Sequence, residues 1–140
     1  MNQSISVMLI DDNETDNFIS RSIITGTQLA YQIVDFTSAA SAKDYLNKNA
    51  NDSKNLPDLI LLDINMPIVS GIMFLYDLEK IVPNLSKNPA VVILSSFEKN
   101  IETDKIINTG RFLRYLTKPL DPEIFKEIVL ELNKTRQKVA

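Results

Sequence analysis

The chain has 140 residues, 15 basic against 18 acidic side chains, a formal charge of -3, and no cysteine, histidine or tryptophan. Without cysteine there is no disulfide framework, thiol nucleophile or Cys-type zinc site. Without histidine there is no Ser-His-Asp triad, His general base or His-ligated metal. The length suits one domain able to bury its own core, and the acidic balance argues against a nucleic-acid module. Met1-Asn2-Gln3-Ser4 lacks the cationic flank of a signal peptide. No apolar run approaches the about 20 residues that span a bilayer, so a soluble cytoplasmic protein with no membrane partner is expected.

Ile5 to Ile10 is an apolar run that predicts a first strand, ending in Asp11-Asp12, with Asn13 or Thr15 suited to cap a following helix. Ile33 to Phe36 predicts a weaker second strand. Its Asp35 is read as structural, because that strand should lie away from the other polar strand ends. Ala39, Ala42, Tyr45 and Leu46 form one helical stripe, and Asn49 to Pro57 reads as a polar loop. Leu59 to Leu62 is a third strand, tipped by Asp63, and Phe74, Leu75, Leu78 and Ile81 make the next helical face.

Val91 to Leu94 is a fourth strand, ending in Ser95-Ser96. Ile101, Ile106 and Ile107 give a thinner helical face that stops at Gly110, so this fourth helix is the one expected to move. Phe112 to Leu116 is a short fifth strand running through Thr117 into Lys118-Pro119. In the last helix Asp121 caps, Pro122 fits the first turn, and Phe125, Ile128, Val129 and Leu132 share a face. Lys134, Arg136 and Lys138 close the chain as its fraying end.

Unbroken aliphatic strands alternating with helices predict an α/β fold with a parallel sheet covered on both faces and right-handed crossovers. In such sheets ligands bind beyond the carboxyl ends of the strands, at the topological switch point. Four strands here end in polar groups: Asp11-Asp12, Asp63, Ser95-Ser96 and Thr117-Lys118. If the first and third strands are neighbours, three carboxylates converge and raise one another's pKa unless a cation relieves them. Mg²⁺ is suited to that task, taking one or two carboxylates and keeping waters that a phosphate can replace. With a hydroxyl and a lysine at the same edge, the set describes a site for a transferring phosphoryl group with a carboxylate nucleophile.

Leu9-Ile10-Asp11-Asp12, Leu61 through Pro67, Ile93-Leu94-Ser95-Ser96 and Tyr115 through Pro119 together resemble the signature of the response-regulator receiver domain, the chemotaxis-regulator type. The resemblance spans about residues 5–133, and four motifs in order make it specific. It implies a flavodoxin-like, doubly wound, five-stranded sheet of order 2-1-3-4-5 with five helices, as a single domain over residues 1–140. It further implies Asp63 as phosphoacceptor, Asp12 as the main metal carboxylate and Asp11 acting more through water. The Asn65 backbone carbonyl is implied as a further metal ligand, for Mg²⁺ or alternatively Mn²⁺. Ser95 is implied as the switch hydroxyl, Lys118 as the phosphoryl contact, Tyr115 as the aromatic switch and Gly71 as the residue opening the third helix. The implied partners are a sensor histidine kinase or histidine phosphotransfer protein and a downstream protein, with a phosphorylation-dependent homodimer as an alternative. Without an attached output domain, readout would pass through a partner. Departures from the family's usual pattern are Phe97, the run Arg111-Phe112-Leu113-Arg114 and the long loop at residues 49–57.

A Mg²⁺-dependent aspartyl-phosphate phosphohydrolase is the alternative. It would need a second acid two residues after its nucleophile, where Asp11 and Asp63 are followed by Asn13 and Asn65. The three glycines form no phosphate-cradling loop, which disfavours a flavodoxin-type cofactor binder.

Overall fold

In the computed structural model of the protein, the described residues are 4–64, 71–96 and 113–139. The strands are β1 (Ile5–Ile10), β2 (Ala30–Phe36), β3 (Leu59–Leu62), β4 (Ala90–Ser95) and β5 (Arg114–Thr117). The helices are α1 (Glu14–Thr27), α2 (Ala39–Lys48), α3 (Gly71–Ile81) and α4 (Pro122–Val139), with one 3-10 turn at Val82–Asn84. All strand pairs are parallel, in the order β2-β1-β3-β4-β5, as expected for the doubly wound fold. The predicted fourth helix, with Ile101, Ile106, Ile107 and Gly110, lies outside the described residues, as do Asn65, Phe97 and Phe112.

Strand alternation sorts the core into two layers. Ile5, Val7, Leu9, Leu59, Leu61, Val92 and Leu94 meet Ile24 of α1 and Phe125, Ile128 and Val129 of α4. Met8, Ile10, Ile60, Leu62, Val91 and Ile93 meet Ala42 and Leu46 of α2 and Phe74, Leu75 and Leu78 of α3. Both faces of the central strands are therefore dry, which is why they read as solid aliphatic blocks.

Three expectations are revised. The second strand begins at Ala30, three residues before its predicted start. It is an edge strand whose residues are half-buried or exposed, so pairing with β1 rather than apolar patterning defines its start. The fifth strand begins at Arg114, where its pairing with Val92 of β4 begins, rather than at Phe112. The loop at residues 49–57 is not uniformly polar, since Leu56 is fully buried in the α2–α3 layer.

The helix termini follow local chemistry. Asn13 is the N-cap of α1 and its side chain accepts from the Asp16 amide at 3.0 Å. Asp121 caps α4, accepting from the Glu123 amide at 2.8 Å. Gly71 opens α3, as expected. Lys134, Arg136 and Lys138 lie within α4. Asp35, near the end of β2, is engaged by Arg21 at 2.7 Å and stands outside the three-carboxylate cluster.

Candidate functional site at the carboxyl edge of the sheet

The parallel ladders continue one residue beyond the strands. Asp11 N–H donates to the Phe36 carbonyl, Asp63 N–H to Ile10 and Lys118 N–H to Ser95, at 3.1, 2.9 and 2.7 Å. Asp11, Asp63 and Lys118 therefore extend the alternation that faces α1 and α4, and their side chains gather under the start of α1. Alternation at strand ends, with β1 between β2 and β3, thus converts three distant motifs into one cluster.

Asp11, Asp12 and Asp63 each offer a carboxylate oxygen within 4.8 Å of the other two. Asp11 and Asp63 are 6% and 7% exposed, whereas Asp12 is open to solvent. An all-oxygen donor set with one solvent-facing member suits a hard divalent cation that retains water, and it lacks the nitrogen or sulfur donors that zinc favours.

Lys118 Nζ donates to Asp11 Oδ2 at 2.5 Å, to Asp16 Oδ2 at 2.8 Å and to Asp63 Oδ2 at 3.4 Å. Burial by itself would lower the pKa of this ammonium. The hydrogen bonds to Asp11 and Asp16 and the charges of Asp63 and Asp11 outweigh it and leave the pKa raised, so the lysine is a fixed positive charge at any physiological pH. Ser95, at the end of β4, is fully buried, and Tyr115 of β5 is half-buried against the α2–α3 layer. Asn65 lies outside the described residues.

Two residues of α1 join the site that sequence inspection did not single out. Asp16 shares Lys118. Asn17, 5% exposed, donates its amide to the carbonyls of Asp11 and Phe36 at 3.1 and 3.2 Å, fixing the end of β1 against β2. The available signal was modest: polar residues one turn into the helix that follows a strand ending in Asp-Asp.

A five-stranded parallel sheet of this order, with an acidic cluster and a lysine at its switch point, defines a signalling receiver of the chemotaxis-regulator fold. The family model "Response regulator receiver domain" matches residues 7–130, and the chain belongs to that family. It is accordingly a two-component signalling domain rather than a turnover enzyme, which sets aside the phosphohydrolase alternative.

A two-component response regulator from Cytophaga hutchinsonii has a similar structure, with a TM-score of 0.84 and 26% identity. That likeness covers 94% of this chain and 99% of that one. The polar-differentiation response regulator DivK of Brucella ovis is 28% identical, over 89% of this chain and 92% of its own length. The hybrid signal transduction histidine kinase I of Dictyostelium discoideum is 24% identical over 88% of this chain and 7% of its own length. The chain spans between 7% and 30% of the length of four of the curated relatives it matches. Among the described residues no helix is long and apolar enough to cross a membrane.

Proposed function

We propose that the protein is a phosphoacceptor switch of a two-component or phosphorelay system, with Asp63 as the residue phosphorylated. The observation that carries this is the position of Asp63: nearly buried at the tip of β3, within 4.8 Å of the Asp11 and Asp12 oxygens and 3.4 Å from the Lys118 ammonium. These 140 residues contain no histidine, so the donor imidazole lies outside them, on a histidine kinase or histidine phosphotransfer protein.

Asp11, Asp12 and Asp63 would hold Mg²⁺ or Mn²⁺, which supplies positive charge to the phosphoryl oxygens. An Asp63 carboxylate oxygen attacks phosphorus. The O–P bond forms as the P–N bond of phosphohistidine breaks, and the electron pair leaves on the imidazole nitrogen, which takes a proton from water. Lys118 contacts a phosphoryl oxygen and balances the added negative charge. The buried Ser95 hydroxyl turns to donate to the same group, and Tyr115 responds to the space this leaves. The face of β5 and α4, with the expected fourth helix that lies outside the described residues, is thereby biased towards a second conformation that a downstream protein or a second copy reads. The whole chain acts as one receiver domain, with its core at about residues 5–133, in the cytoplasm.

The test is incubation of the protein with Mg²⁺ and acetyl phosphate, read by intact mass. One phosphate adduct that disappears in Asp63→Asn is the expected result; no adduct on the native protein would overturn the proposal.

A further inference from the structure

Lys118 has more carboxylate partners than a phosphoryl contact requires, and the additional one comes from a helix. Asp16 occupies the third position of α1 after its Asn13 cap, and its amide is already bonded to the Asn13 side chain. At that position an acidic side chain commonly reaches back to the N–H of the capping residue. Here the Asn13 N–H instead donates to Asp11 Oδ1 at 2.9 Å. The Asp16 carboxylate is therefore available to Lys118, which it meets at 2.8 Å, shorter than the 3.4 Å from the same nitrogen to Asp63. Asp16 also stands outside the three-carboxylate cluster, so its pairing with the lysine does not draw on that set.

We propose that Asp16 is a positioning residue that anchors the Lys118 ammonium to α1 and thereby sets how readily the lysine reaches a phosphoryl group on Asp63. This rests on the phosphoacceptor reading of Asp63. Lys118 leaves Asp16 as it takes up the phosphoryl oxygens, so the Asp16 pair is a restraint on acceptance of the group. Side-chain exposures of 14% for Lys118 and 32% for Asp16 make this a partly screened pair, whose loss changes a rate by about fivefold.

The experiment uses the full chain with Mg²⁺ and acetyl phosphate, comparing native protein, Asp16→Asn, Lys118→Gln and the double variant by intact mass over time. Asp16→Asn is expected to accumulate the adduct about fivefold faster, and the gain is expected to vanish in the Lys118→Gln background. Equal rates for native protein and Asp16→Asn overturn the anchor and leave the phosphoacceptor reading standing. A gain that persists without the lysine also overturns it, because the charge of Asp16 would then act on the donor directly. A second readout needs no phosphorylation: acylation of Lys118 by a mild amine reagent, followed by peptide mass, is expected to quicken in Asp16→Asn. Unchanged labelling overturns the anchor. Absence of adduct on every form overturns the phosphoacceptor reading and this inference with it.

Discussion

Replacing Asp63 with asparagine is expected to stabilise the protein when divalent ions are removed. Asp63 is 7% exposed, and among the described residues its charge is repelled by Asp11 and attracted by Lys118. At an effective dielectric of about 20, the Asp11 oxygen within 4.8 Å repels it by at least about 3.5 kcal/mol, while Lys118 at 3.4 Å attracts it by about 5 kcal/mol. Asp12, exposed and screened, adds little to the repulsion. Lys118 retains Asp11 and Asp16 in the variant, so most of its own stabilisation survives. What decides the sign is burial, since desolvating a carboxylate costs several kcal/mol and a neutral amide of the same shape escapes most of it. The expected gain is about 1–3 kcal/mol, or roughly 1 M in the urea midpoint for a domain of this size. The assay is urea unfolding followed by far-ultraviolet circular dichroism, with chelator and then with excess Mg²⁺. The advantage should shrink in Mg²⁺, because a ligand that binds the native carboxylates stabilises only the protein that has them. A variant less stable than the native protein in chelator would refute the reasoning, showing that the lysine's attraction outweighs burial.

Other outcomes follow from contacts away from the site. Asp58, whose side chain is 1% exposed, accepts from the Ser6 amide at 2.8 Å and from Lys87 Nζ at 2.9 Å. Asp58→Ala removes the acceptor of the Ser6 amide and the carboxylate partner of Lys87 and should cost about 2–4 kcal/mol by the same unfolding assay; Lys87 keeps its hydrogen bond to the Leu56 carbonyl at 3.2 Å and, partly exposed, recovers some hydration. Asn17→Ala removes two hydrogen bonds that hold the end of β1 to β2; it should cost about 1–3 kcal/mol and lower Mg²⁺ affinity, measured by calorimetry. Tyr45 donates to the Asn55 carbonyl at 2.9 Å and accepts from Gln32 at 3.0 Å. Burial raises its pKa above the ordinary 10.0; the Gln32 hydrogen bond opposes this, and the charges of Asp52 and Tyr31 reinforce it. A raised folded-state value means that the stability it contributes is fully present below pH 10.0 and is lost as pH rises through the folded value. The stability gap between native protein and Tyr45→Phe should therefore narrow from pH 8 to pH 11 in urea titrations; a constant or widening gap would count against it.

The chain by itself determined the sheet and the chemistry of its edge. Leu59 to Leu62 and Val91 to Leu94 could only be strands dry on both faces, and the residues that interrupt them, Asp63 and Ser95, stand where parallel strands present ligands. Those signals are legible because they are local: a run of four to six residues carries both the strand and its polar tip. The edge strands were less legible. β2 is only half-buried and β5 is defined by where it pairs with β4, so neither start is written in apolar patterning.

Tertiary structure decided which polar residues meet. Asp16 and Lys118 are 102 positions apart, and Ser6 and Asp58 are 52 apart. Neither pair has a spacing that a periodic pattern could reveal. They meet because strand order sets β1 beside β3 and because α1 packs across the face that Asp11, Asp63 and Lys118 share. Leu56 shows the same limit from the apolar side, one buried leucine in a polar stretch whose burial depends on where the chain returns to the sheet. The sequence specified the polar groups of the proposed phosphoryl site, because each sits at the end of its own strand. The packing of α1 specified what holds the lysine, because that contact exists only once the helix and the fifth strand are brought together.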